Sequence, residues 1–240
     1  MRIAAFLKLL ANIASGKTPI RTVYYTVMIR LSGSLAGRRR FEFEKMYAED
    51  GDPWGYFSRP YEQEKYRRTL DFVLDHCPGK ATALEVGCSV GVFTKMMAPS
   101  FDSILAIDIS TEAVELATKT VAGVGNVEVR GDDFLALQAE GRTFDVIFFA
   151  EVLYYLAEAQ APEVCGALKR LLSDRGVFVV VHPTEVESGP LPWDGIFGQV
   201  FDRRAAVTID DSERPYEISV YARRDAQSDV DAPGNVGVAA

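Results

Sequence analysis

Two hydrophobic periods divide the chain. In residues 1–36, Ile3, Phe6, Leu7, Leu10 and Ile13-Ala14 recur at helical spacing, with Arg2 and Lys8 off that face. A second helical pattern runs through Ile20, Val23-Tyr24, Val27, Leu31 and Leu35. Arg38 to Gly55 reads as a charged, turn-rich connection ending in Asp52-Pro53-Trp54-Gly55. Glu62 to Cys77 predicts a helix with Tyr66, Thr69-Leu70 and Val73-Leu74 on one face, stopped by Pro78-Gly79. From there the pattern alternates between strand and helix. Strands are expected at Thr82–Val86, Ser103–Ile107, Asn126–Arg130, Phe144–Phe149 and Gly176–Val181. Helices are expected at Val92–Met97, Thr111–Thr120 with Ser110 as N-cap, and Ala159–Leu172. The fourth strand is almost continuously apolar, as a strand covered on both faces should be. Such alternation implies an α/β fold, a parallel sheet with helices on both faces.

After His182 the pattern changes. Pro183–Gly198 carries three prolines and three glycines and shows no strong helical period. Val200–Ile209 and Tyr216–Ala222 then predict a hairpin closing the sheet edge around the turn Asp211–Pro215. Residues 225–240 are small and polar and are expected to be disordered.

Charge changes the picture at the N-terminus. Residues 1–40 hold eight bases and no acid, whereas the remaining 200 hold 18 bases against 34 acids. A net charge of −8 argues against a general nucleic-acid binder. The basic amphipathic arm of residues 1–36 has two readings: a peripheral membrane contact, or a pair of helices packed on the body as a lid or homodimer surface. Met1–Leu10 is a poor signal peptide because Lys8 interrupts its apolar run, and no segment approaches a membrane span. Three scattered cysteines suggest a reducing compartment, and a cytoplasmic location is expected. With only two histidines, no metal site is expected.

The chemistry concentrates in Ala83–Gly91. A buried strand runs into Glu85-Val86-Gly87-Cys88-Ser89-Val90-Gly91, an acidic-x-Gly-x-x-x-Gly turn at a helix start. Glycines there let backbone approach a ligand. Ser89 occupies the position where a dinucleotide pyrophosphate requires a second close-approach glycine, which disfavours a nicotinamide oxidoreductase. Asp108 ends the second strand, where a carboxylate can accept from both ribose hydroxyls. The third strand ends in Gly131-Asp132-Asp133-Phe134, where a carboxylate can accept from an adenine amino group and an aromatic ring can pack. The fourth runs into Glu151, Tyr154 and Tyr155 at the carboxyl edge, where open α/β sheets bind ligands. His182 ends the fifth strand at the same edge and can titrate near neutrality.

This ordered set resembles the class I S-adenosylmethionine-dependent methyltransferases over about residues 60–225. Asp52-Pro53-Trp54, Pro60-Tyr61-Glu62, Leu84–Cys88 and Glu151–Leu156 resemble the nodulation-protein-S type within it, whose members N-methylate a deacetylated chitooligosaccharide. The resemblance implies a Rossmann-like, seven-stranded, mostly parallel sheet with a terminal antiparallel hairpin. It divides the chain into an arm and linker (1–50), a catalytic domain (51–224) and a tail (225–240). It implies S-adenosyl-L-methionine as cofactor. Glu85 and the Gly87–Gly91 backbone, with Cys88, would hold the methionine part. Asp108 would take the ribose, Ile109 would pack on adenine, and Asp132 or Asp133 would meet its amino group beside Phe134. Trp54, Tyr61 and Lys65 would cover the cofactor, with Lys65 against its carboxylate. His182 and Glu151 are the candidate bases. Tyr154, Tyr155 and Trp193 would border a small-molecule acceptor, a sugar or glycosylated metabolite accepting at a hydroxyl or amine. A lipid-linked acceptor and a non-catalytic scaffold are the alternatives.

Overall fold

The computed structural model describes Met28 and residues 35–77, 81–184 and 192–224. The helices expected before residue 35 and the tail from 225 lie outside the described residues. A seven-stranded sheet forms the centre, built from β1 (Thr82–Val86), β2 (Ser103–Asp108), β3 (Val127–Gly131), β4 (Phe144–Ala150), β5 (Leu172–Pro183), β6 (Phe201–Ile209) and β7 (Tyr216–Arg223). Their order is β3-β2-β1-β4-β5-β7-β6. The first five strands are parallel, and β7 pairs antiparallel with both β5 and β6. This is the parallel sheet that the alternation predicts, with the Rossmann-like, seven-stranded form and terminal hairpin that the resemblance implies.

Strand periodicity builds two cores. Leu84, Ile107, Ile147, Phe149, Phe178 and Val180 point to one face, and Ala83, Ala106, Val146, Phe148, Val179 and Val181 to the other. The helices are α1 (Leu35–Glu49), α2 (Pro60–His76), α3 (Val92–Met97), α4 (Thr111–Thr120), the single turn α5 (Phe134–Leu137), α6 (Ala161–Leu171) and α7 (Trp193–Val200). The α4 bounds match expectation because Ser110 caps it, accepting from Ala113 N at 3.2 Å.

Three expectations need correction. The charged connection from Arg38 is instead helix to Glu49, because Glu44 and Tyr47 share a face that is buried against the α4 end of the sheet. The Pro/Gly-rich stretch holds a shortened helix, α7, whose Trp193 and Phe197 are buried. Gly195 and Gly198 face open space and obscure its period. Finally, β5 begins at Leu172 rather than Gly176, since its pairing with β4 slips between Phe144 and Val146 and the polar Ser173–Arg175 fill the irregularity. Among the described residues no helix is long and apolar enough to cross a membrane.

Candidate active site

The carboxyl edge of β1 and β2 forms one half of the site. Gly87 and Gly91 both sit at φ +76°, and Ser89 between them is left-handed at φ +51°. A Cβ on Gly87 would lie 2.7 Å from Val152 Cγ2, and one on Gly91 3.0 Å from Ala117 Cα. These contacts, with the left-handed backbone, require glycine at both places. The turn is tied to β2 by the amides of Gly87 and Cys88, which donate to the Ile107 carbonyl at 2.8 and 2.9 Å.

Asp108 is the hub of this half. Its Oδ2 accepts from Ser89 N at 3.0 Å and its Oδ1 from Ser110 N at 2.9 Å. From both ends the network returns to α1. Tyr47 Oη donates to Ser89 Oγ at 2.7 Å, and Ser110 Oγ donates to Glu44 Oε2 at 2.8 Å. Glu44 also accepts from the amides of Thr111 and Glu112, at 2.9 and 3.0 Å, so it caps α4 from another helix. All five residues of this ring are buried. Burial pushes Asp108 up to about 6 against the two amide hydrogen bonds, with Glu44 adding to the rise. Glu85, fully enclosed at the end of β1, is pushed up by burial to about 8, although the Thr94 hydroxyl donates to it. Glu44→Gln should weaken the α4 cap and lower stability by about 1–2 kcal/mol, read from urea unfolding. Unchanged stability would deny the cap its role.

The other predicted nucleoside residues divide. Ile109 is half-buried beside Asp108. Asp133 caps α5 through Leu135 N at 2.9 Å, and Asp132 pairs with Arg130 at 2.7 Å. Phe134 is a correction: its ring packs edge-on against Phe149, centroids 4.9 Å apart, inside the core. Cys88 is buried, and burial raises its thiol well above the ordinary value, which suits packing. Trp54 stands in a run of rings from Tyr47 through Tyr56 and Tyr66 to Phe93.

The second half lies at the tip of β4. Glu151 is left-handed at φ +60°, a strained conformation for a residue with a side chain. Its amide donates to the Val181 carbonyl at 2.9 Å. Lys65 Nζ reaches it from α2, 3.0 Å from Glu151 Oε1 and 2.9 Å from Glu62 Oε2. Burial opposes the Lys65 charge, but Glu151 and Glu62 more than offset it and raise its pKa. Lys65 is thus already matched by two protein carboxylates, which conflicts with its expected pairing to a cofactor carboxylate. Tyrosines surround the group: Tyr61 lies 5.1 Å beneath Lys65 Nζ, Tyr154 and Tyr155 touch at 4.4 Å, and Tyr155 meets Phe43 of α1 at 4.9 Å. Burial, then the Glu151 charge, pushes the Tyr154 phenol far up, so it donates hydrogen bonds rather than taking protons.

His182 lies at the predicted edge but in a different role. Its Nε2 lies 3.1 Å from Asp194 Oδ2, and its Nδ1 lies 3.0 Å from the Pro183 carbonyl. Tyr221 holds the other Asp194 oxygen at 2.6 Å. Burial opposes the imidazolium, yet Asp194 and the Pro183 carbonyl outweigh it and raise the His182 pKa. An imidazolium with both nitrogens engaged has no lone pair for a proton, so this geometry suits an ion pair linking β5 to α7. One ligand-type atom each of His182, Asp194 and Glu217 lie within 4.8 Å of one another. Glu217 is engaged by Arg203, so the group reads as an ion-pair network. Asp194 is lowered, burial opposing and His182 prevailing. The raised His182 contributes stability below about pH 6.5 and loses it as pH rises through its folded value. The lowered Asp194 contributes above about pH 4. His182→Asn should therefore cost about 1 kcal/mol of stability at pH 5.5 and less at pH 9. An equal cost at both would sink the ion pair.

Trp193 is also corrected. It is 1% exposed and packs with Phe197, so it belongs to the core rather than to an acceptor wall. Conversely, Glu44 and Tyr47 join this network without having been singled out in the sequence, and Glu62, quoted there only within a motif, pairs with Lys65.

A family model described as nodulation protein S matches residues 42–181. Nodulation protein S of Rhizobium tropici is 33% identical over 129 residues, 53% of each chain. A ubiquinone biosynthesis O-methyltransferase of Actinobacillus pleuropneumoniae is 30% identical over 144 residues, 57% of this chain and 60% of that one. The chain spans about half the length of the nodulation relatives it matches. The solved N-methyltransferase NodS of Bradyrhizobium japonicum WM9, in complex with S-adenosyl-L-homocysteine, superposes with a TM-score of 0.67 at 22% identity, over 78% of this chain and 98% of that one. That likeness is one of fold. With the family model covering more than half of its residues, this chain belongs to the nodulation protein S family.

Proposed function

We propose that the chain transfers a methyl group from S-adenosyl-L-methionine to an amine of a small, hydroxyl-rich acceptor, a sugar or glycosylated metabolite. The observation that carries the amine is the Glu62–Lys65–Glu151 group: two carboxylates against one ammonium leave a net negative charge among tyrosines. Such a site favours a cationic acceptor. The turn fits the cofactor, since Gly87, Ser89 and Gly91 hold a left-handed backbone beside the Asp108 carboxylate, which could accept from ribose hydroxyls, and Ser89 suits a ligand lacking a pyrophosphate. When bound, the cofactor supplies a methyl already activated on a sulfonium, so no metal is needed by the chemistry.

The chain's own groups then have two tasks. Glu151 holds the acceptor ammonium and takes its proton, freeing the nitrogen lone pair for in-line attack on the methyl carbon. A bound S-adenosyl-L-methionine would supply that methyl, its sulfur keeping the bonding electron pair as the leaving group. Orientation by the surrounding rings contributes up to roughly 7–11 kcal/mol, and a placed base about 10²–10⁴-fold. A second reading, transfer to a hydroxyl of a membrane-held acceptor, is favoured by the similarity to the ubiquinone-pathway enzyme. Under it the basic arm would dock on the membrane, and deleting residues 1–36 would abolish co-sedimentation with anionic vesicles.

Calorimetric titration with S-adenosylhomocysteine and with NAD tests the cofactor, and mass spectrometry of glucosamine incubated with the protein and S-adenosylmethionine tests the acceptor. Binding of the homocysteine analogue and a gain of one methyl on nitrogen are expected. Binding of NAD alone would overturn the reading, and cofactor binding without transfer to any amine would favour a scaffold.

A further inference from the structure

A cavity of about 220 Å³ lies at the amino edge of the sheet, opposite the carboxyl edge that holds the site above. Asp174 and Arg175 line it from β5, Arg204 from β6, Arg223 from β7 and His76 from the end of α2. His182 stands five residues beyond Val177 on β5, about 16 Å along a strand. The cavity is therefore separate from the carboxyl-edge groups.

Two breaks in strand pairing bring arginines to it. Phe144 pairs with Leu172 and Val146 with Val177, so Ser173, Asp174, Arg175 and Gly176 stand against Asp145 alone. Gly176 closes this slip, since a Cβ on it would lie 2.8 Å from the Phe144 carbonyl oxygen. Along β6 and β7, Arg203 pairs with Tyr221 and Ala205 with Val220, which makes Arg204 the extra residue of a bulge. Bulges re-aim side chains and recur beside binding sites. Here each irregularity supplies one arginine to the same cavity.

The charges around it are not matched. Three guanidiniums line the cavity against one carboxylate, that of Asp174. Asp202 lies 3.6 Å from Arg204 and 3.5 Å from Arg224, so this pair of neighbours adds one charge of each sign and leaves the excess positive. Arg223 spends Nη2 on the Lys169 and Leu172 carbonyls, where α6 meets β5. Its Nε is buried and has no hydrogen-bond partner among the described residues. Arg175 is exposed and makes no ion pair among the described residues. A chain of net charge −8 thus gathers uncompensated positive charge in one small cavity. Such a cavity selects an anion. Several guanidinium forks suit a phosphate, which offers three terminal oxygens and a charge of about −1.5 to −2. The volume is below the ~300–1,000 Å³ of drug-sized sites, room for a phosphate and a small carbon body.

We propose that this cavity is a second ligand site, for a phosphomonoester dianion, at the sheet edge remote from methyl transfer. It does not depend on the acceptor reading above.

The test is calorimetric titration of the full chain with inorganic phosphate, glycerol 3-phosphate and glycerol, at an ionic strength held constant with chloride. Both phosphates should bind at one saturable site, and glycerol should not bind. Arg175→Ala and Arg204→Ala, both at exposed side chains, should each weaken phosphate binding about tenfold. Arg223 is left intact because it also holds the end of α6. S-adenosylhomocysteine should neither displace the phosphate nor bind differently in the two variants. Where both phosphates bind, co-sedimentation with phosphatidic acid vesicles that Arg175→Ala abolishes assigns the group to a lipid headgroup. Absence of co-sedimentation assigns it to a soluble phosphomonoester. No saturable binding of either phosphate, full-strength binding in both variants, or displacement by S-adenosylhomocysteine overturns the site.

Discussion

Glu151→Gln is expected to lower methyl transfer by about 10²–10⁴-fold while leaving S-adenosylhomocysteine affinity within about twofold. The substitution keeps the shape and the left-handed backbone at φ +60°, and it removes one charge. Lys65 then retains Glu62 alone at 2.9 Å, so the net charge of the group falls from negative to neutral. A cationic acceptor loses both its counter-charge and its proton acceptor. The fall should therefore appear in kcat and in the acceptor KM together. Near-normal turnover at saturating acceptor would remove Glu151 as the base and return attention to groups outside the described residues.

The second large effect belongs to Asp108. Asp108→Ala should weaken S-adenosylhomocysteine by at least about 100-fold, since each hydrogen bond to a charged acceptor contributes about 1.5–3 kcal/mol. The same residue sets a pH dependence. Ribose hydroxyls donate to a carboxylate, so binding requires the ionised form. Asp108 keeps its proton up to about pH 6 in the ligand-free protein, because burial opposes its charge and Glu44 faces it from α1. Glu85 lies within electrostatic reach from β1, and the amides of Ser110, Ser89 and Ile109 oppose the rise. Affinity should be level above pH 7 and weaken as pH falls through about 6. Isothermal titrations from pH 5 to 8 check this. A flat profile in the wild type would contradict the ribose role even if the alanine variant failed to bind.

Why some elements could be read and others not has a local cause in each case. β4 is legible because every residue from Val146 to Phe149 is covered on both faces, leaving no polar position to confuse. α4 is legible because Ser110 marks its start with a bond three residues long. α1 is hidden because its buried face is narrow and includes a glutamate, whose partners are amides more than 60 residues away. The period of α7 is diluted by two glycines that touch nothing. The site divides along the same line. Glu85, Gly87 and Asp108 are set by strand ends, which alternation places reliably. The edge position of His182 follows too, but Asp194, which decides its protonation, stands across a Pro/Gly-rich stretch with no pattern of its own. Phe134 and Trp193 are aromatic residues expected beside a ligand from their sequence position, and both are buried in the core instead.

The ring through Glu44, Tyr47, Ser89, Asp108 and Ser110 has a consequence for how folding and binding are linked. Its bonds join residues 19, 42 and 66 positions apart. A pocket closed by such distant partners has no counterpart in an unfolded or half-formed chain. Under the proposed function a nucleoside cofactor would therefore bind the native population alone, and at 100 times its Kd it would add about 2.7 kcal/mol to stability. Under the proposed function, cells rich in S-adenosyl-L-methionine would hold more of this protein folded than cells depleted of it, so the methyl donor would set both the rate of the proposed reaction and the amount of folded protein.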